Sequence, residues 1–151
     1  MKNKNKTVLK GLHIALAMLI AVHINAQCPK KKEIKFFGQK FAKHIINGEN
    51  DKALDFFDPD YRKEQLERNL TGNTKQFLEE FLAASFQKED FFVPSIENIK
   101  KIRVKKVIID ANNAEAKLAC KIFLKNRKPY KIDLKVFCKQ DNQVYFIGAY
   151  G

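Results

Sequence analysis

Few residues in this chain have the type and spacing to do chemistry. His44 comes first, with Asp55, Asp58 and Tyr61 on the segment that follows it. An imidazole against a carboxylate is a common general base, and a small hydrolase or isomerase would use such a pair. At 100° per residue, His44 lies within about 20° of Phe37 on a helical projection, so it can flank an apolar interior. The plainer account is a half-exposed helix histidine beside a set of helix caps.

Cysteines form the second group: Cys28, Cys120 and Cys138. An odd number leaves at least one thiol unpaired within the chain. Cys120 and Cys138 sit in two segments of period two and face the same side. If the turn between those segments pairs Leu124 with Ile132, Cys120 falls opposite Val136 and Cys138 opposite Leu118. The two are then diagonal neighbours, about 7–8 Å apart. A disulfide needs Cα atoms within about 7 Å, so two buried thiols are expected rather than a bridge. With only these cysteines and one possible histidine nearby, a zinc site is not supported, and no metal or cofactor is expected.

The third group is basic. Lys101, Arg103, Lys117, Lys121, Lys131 and Lys135 take the polar side of the period-two segments, with Lys105, Lys125 and Lys139 beside them. The formal charge is +12. Such a face suits an anionic partner, such as a glycan, a lipid head group or nucleic acid. Nucleic acid is the weakest of these, because no nucleic-acid motif accompanies the charge. The competing account is a solvated face whose lysines prevent aggregation.

These groups are carried by two kinds of element. Ile34, Phe37, Phe41 and Ile45 recur at three- and four-residue steps, predicting a helix over 33–47 closed by Gly48. A short helix is expected over 51–57. Asp58-Pro59 opens a third as N-cap and first residue, bearing Leu66 and Leu70. Thr74 is expected to cap a fourth, bearing Phe77, Leu78, Phe81 and Leu82. From Ile99 the period changes to two. Strands are predicted over 99–109, with a slip at Lys105-Lys106, then over 115–125, 130–139 and 143–150. Helices first and strands after them argue for one α+β domain over 33–151, with helices packed on a curved four-stranded antiparallel sheet. The thirteen Phe and absent Trp predict a Phe-dominated interior, with Phe41 and Phe81 central.

Ahead of the domain, residues 1–26 have the form of a signal peptide. Lys2, Lys4, Lys6 and Lys10 precede an apolar run from Leu12 to Ile24, and a small residue, Ala26, stands at the cut. The run is too short for a membrane span. Cleavage after Ala26 would leave a basic segment, 27–32, and a periplasmic or secreted product without a transmembrane helix. Lipid attachment at Cys28 is the less favoured alternative, because Gln27 is not small.

The stretch FFGQKFAKHIINGENDKALDFFDPDY and the closing VYFIGAYG resemble the nuclear transport factor 2-like, cystatin-like superfamily over residues 33–150. The chain looks most like its exported bacterial domains of unknown function, some labelled lumazine-binding-like. The resemblance implies a cone with a cavity; its enzymes place an Asp/His or Tyr/Asp pair inside. Here the candidate lining is His44, Tyr61, Cys120, Tyr130 and Cys138, otherwise apolar, with Tyr130 its main polar group.

The expected function is therefore an exported, non-catalytic domain that binds a small apolar ligand or an envelope partner. The alternatives are a small enzyme built on His44 and an Asp, and a structural subunit of an envelope assembly. The outward face also carries Ala119, Phe123, Phe137, Tyr145 and Ile147. If Phe137 lies between Tyr145 and Ala119, they form an apolar patch for a weak homodimer.

Overall fold

The computed structural model describes residues 27–68, 73–86, 90–110 and 112–151. The leader expected over 1–26, together with Leu70 of the third expected helix, lies outside the described residues. The chain is α+β, with helices first and a four-stranded antiparallel sheet after them.

Helix α1 spans Lys31–Ile46 and buries Ile34, Gly38, Phe41, Ala42 and Ile45. That spacing keeps one stripe against the sheet. At Gly38 the helix backbone comes close to the sheet: a Cβ there would lie 3.2 Å from both Leu118 Cδ1 and Val104 Cγ2. Gly48, at φ 70°, lets the chain turn away into α2, Asn50–Leu54. Helix α3 spans Pro59–Arg68. Asp58 caps it as expected: its Oδ1 accepts from the backbone N–H groups of Asp60 and Tyr61 at 3.1 and 3.2 Å. Helix α4, Thr74–Phe81, is capped by Asn73 rather than Thr74, since Asn73 Oδ1 accepts from Lys75 N–H at 2.9 Å.

A small hairpin not anticipated from sequence follows, β1 (Ala84–Phe86) with β2 (Asp90–Phe92). The main sheet runs β3 (Ile99–Asp110), β4 (Glu115–Leu124), β5 (Tyr130–Cys138) and β6 (Val144–Tyr150), in that spatial order. Alternate residues of β4 and β5 are buried, from Ala116 to Leu124 and from Tyr130 to Cys138. The expected slip in β3 is a register shift between Val104 and Lys106.

The register between β4 and β5 differs from the tight-turn expectation. Ile122 pairs with Tyr130, Cys120 with Ile132 and Leu118 with Leu134. Pro129 has no N–H to donate to a ladder, so pairing starts at Tyr130. Leu124 is held by the other neighbour, paired with Ile99, and Lys125 N–H donates to Asn98 O at 2.9 Å. The slip is an even number of residues, so every side chain keeps its face while its cross-strand neighbour changes.

The space between helices and sheet is filled by rings. Phe41 touches Phe146 with centroids 4.8 Å apart, and Phe57 touches Phe81 at 4.6 Å and Phe77 at 4.8 Å. Phe37 completes the group against Phe146 at 4.8 Å. Edge-on contacts of this kind add to the burial of large apolar side chains. The segment after α2 joins the β6 edge directly: Phe146 N–H donates to Phe56 O at 2.8 Å, and Asp58 N–H donates to Phe146 O at 3.1 Å.

Candidate functional site

Of the residues considered for proton chemistry, none meets its expected partner. His44 Nδ1 lies 2.7 Å from Glu49 Oε2, within the turn that ends α1. Asp55 instead faces Arg62 at 3.7 Å, and Asp58 Oδ2 faces Lys139 Nζ at 2.6 Å. The His44–Asp pair is therefore replaced by three separate structural contacts. Glu49 also binds Lys52 Nζ at 2.6 Å, and hydrogen bonds from Lys52 and His44 hold its carboxyl down at a pKa of about 2. For Asp58, burial pushes the pKa up, but the Lys139 ammonium and the N–H groups of Tyr61 and Asp60 outweigh it. The net shift is downward.

The cavity candidates scatter in the same way. Tyr130 is buried and donates its hydroxyl proton to Leu82 O at 2.6 Å, anchoring the end of α4 to the sheet. Burial pushes the pKa of its phenol up. Cys120 is a buried free thiol whose pKa burial pushes up to about 12, far from the thiolate a nucleophile or metal ligand needs. Tyr61 stacks on Phe57 and lines a small cleft of about 130 Å³ with Gln65, Phe77, Glu80, Phe81 and Ala149. His44, Cys120, Tyr130 and Cys138 do not line that cleft.

Cys138 corrects the expectation of two buried thiols. It forms a disulfide with Cys28, with Cα atoms 5.0 Å apart. In the observed register Cys120 lies opposite Ile132, and Cys138 N–H donates to Ala114 O at 2.8 Å. Cys120 and Cys138 are thus well separated along the sheet rather than diagonal neighbours. Among the described residues, no three His, Cys, Asp or Glu side chains gather to hold a metal ion. Nor is any described helix long and apolar enough to cross a membrane.

What the fold does assemble is on the outer face. Arg103 lies directly opposite Lys121, and Lys121 directly opposite Lys131, a row of three cations across three strands. Lys101 is in the next row, opposite Phe123. The Phe123 ring is half-buried beneath Arg103 and Lys121, whose charged ends lie 5.5 and 5.4 Å from its centroid. No ion pair to a carboxylate neutralises Lys101, Arg103, Lys121 or Lys131 among the described residues. Lys117 and Lys135 behave differently. Lys117 Nζ pairs with Asp133 at 2.9 Å and Lys135 Nζ with Glu115 at 2.9 Å. The basic face expected from sequence therefore divides into a neutralised end and an uncompensated end. Sequence reasoning missed Lys106, which takes the outward place opposite Ala119 once Lys105 is looped out by the bulge.

The apolar patch also divides. Phe137 does pair with Tyr145, but its other neighbour is Glu115, and Ala119 lies opposite Asp133. Phe123 stands at the far end of β4, under its two cations. Ile147 falls in the irregularity of β6 between the Val136–Phe146 and Lys135–Gly148 pairs. These five residues are therefore not all cross-strand neighbours. No family model, curated protein or solved structure matches the chain.

Proposed function

We propose that residues 27–151 act as an exported, non-catalytic binding domain that engages an anionic envelope component through the outer face of its sheet. The observation that carries this is the uncompensated row Arg103–Lys121–Lys131 with Lys101 beside it. Like charges directly opposite one another destabilise a sheet. A fold that keeps three in line has a reason to do so when an anion occupies them.

Three further observations support the reading. Phe41, Phe57, Phe81 and Phe146 pack ring against ring between helices and sheet, which weighs against a small apolar ligand there. His44 is engaged by Glu49 rather than by Asp55 or Asp58, which weighs against the small enzyme. The disulfide suits an oxidising compartment and uses the sulfur that lipid attachment to Cys28 would require. Helices followed by a four-stranded antiparallel sheet also support the resemblance to the nuclear transport factor 2-like superfamily.

The test is binding of purified 27–151 to a sulfated polysaccharide as polyanionic probe. Salt-sensitive binding that is lost in Arg103→Glu/Lys121→Glu is expected. Equal binding by that variant, with its circular dichroism unchanged, would refute the proposed face.

A further inference from the structure

The two edges of the sheet are treated differently by the rest of the chain. The β6 edge is joined by the backbone of 56–58 at Phe146. Among the described residues, strand β3, at the opposite edge, pairs only with β4. It is the longest strand of the sheet, twelve residues, and α1 packs across its inner face. Its outer side presents a row of backbone N–H and C=O groups, the feature of an edge strand that templates pairing with another chain.

Charge marks what that other chain can be. Within IKKIRVKKVIID, Lys100, Lys101, Arg103, Lys105 and Lys106 are all exposed, and the lone acid is Asp110 at the far end. None of the five is in an ion pair with a carboxylate among the described residues. Exposed Ile108 adds apolar surface on the same strand. A second copy pairing β3 with β3 would set lysine against lysine, so the edge repels itself. Protection against aggregation accounts for a lysine or two and a bulge; it does not call for five cations continuing inward as Arg103, Lys121 and Lys131.

We infer that β3 is a docking edge for an extended acidic segment of a partner protein, which adds to the sheet as a fifth strand. Main-chain hydrogen bonds to β3 supply affinity, and acidic side chains opposite Arg103, Lys101 and Lys106 supply selection. This rests on the reading of the outer face as a surface for anions and names the partner as protein. A free polyanion can satisfy the charges but cannot continue the ladder.

The probes are three ten-residue synthetic peptides: one alternating glutamate with valine and threonine, one with lysine in place of glutamate, and one with the acidic sequence N-methylated at alternate residues. The readout is amide hydrogen exchange and chemical-shift change across the sheet. The acidic peptide is expected to slow exchange along β3, and N-methylation to weaken it by about ten-fold or more, the loss expected for a few main-chain hydrogen bonds. Arg103→Glu/Lys106→Glu should reverse the preference toward the lysine peptide. Acidic and N-methylated peptides of equal affinity would overturn strand addition while leaving the anionic surface standing. Failure of both the acidic peptide and the sulfated polysaccharide would overturn both. Dimerisation of the unliganded protein through β3 would overturn the choice of partner.

Discussion

Cys28 and Cys138 are joined across 110 residues of sequence, tying the segment ahead of α1 to the last residue of β5. A cross-link over so long a loop removes much of the freedom of the unfolded chain. In the chain-entropy account this is worth about 4–5 kcal/mol, and measured values for native disulfides run about 2–5. The Cys28→Ser/Cys138→Ser double variant should lose stability in that range by urea unfolding. A loss below about 1 kcal/mol would show that the bond constrains little.

The same relationship predicts thiol reactivity. Without reductant, the native protein should take up no alkylating agent, because Cys120 is buried with its pKa pushed up to about 12. Denaturation alone should expose Cys120, and reduction should add Cys28 and Cys138. Mass spectrometry counts the adducts; labelling of Cys28 in unreduced denatured protein would contradict the pairing.

Phe41 is fully buried and touches Phe56, Phe57, Phe81 and Phe146. Replacing Phe41 or Phe81 with alanine should each cost about 3–5 kcal/mol in denaturant unfolding, the range for a large ring removed from a packed core. A cost under about 1 kcal/mol at Phe41 would mean that the interior is looser than its ring contacts imply.

Acid should weaken the fold through Asp58 and Glu49. Both carboxyls have folded pKa values below their ordinary values of 3.8 and 4.5. The unfolded chain therefore binds more protons in that window, and stability falls as pH falls. The contribution is complete above about pH 5 and is lost as the pH drops through the folded values, near 2 for Glu49. Asp58→Asn, which can keep the cap on α3 but not the charge facing Lys139, should flatten the acid limb of a stability–pH curve. An unchanged limb would assign acid sensitivity elsewhere.

Much of this architecture was legible in the sequence, because it depends on which face a residue takes. The 3.6-residue stripe of α1, the alternation of β4 and β5, the Asp58 cap, the turn at Gly48 and the bulge near Lys105 all follow from local pattern. Cross-strand neighbours did not follow. An even slip of β5 against β4 keeps every face and moves Ala119 from Phe137 to Asp133, and Cys120 from Val136 to Ile132. The disulfide was hidden for a related reason, since nothing local indicates where the chain ahead of α1 will lie. The basic face was visible as composition. Its division into a neutralised end at Lys117 and Lys135 and an open end at Arg103, Lys121 and Lys131 required the register.

The most direct test compares two variants of equal net charge. One is Arg103→Glu/Lys121→Glu/Lys131→Glu, and the other is Lys35→Glu/Lys40→Glu/Lys63→Glu, at exposed helix positions away from the sheet. Affinity for the sulfated polysaccharide is measured for both against the unmodified domain, at low salt and at about 0.15 M, where the Debye length is about 8 Å. A focused site predicts that the sheet variant loses nearly all binding and the helix variant keeps most of it. Equal losses would mean that the domain attracts anions only through its overall charge, and the proposed surface would fall.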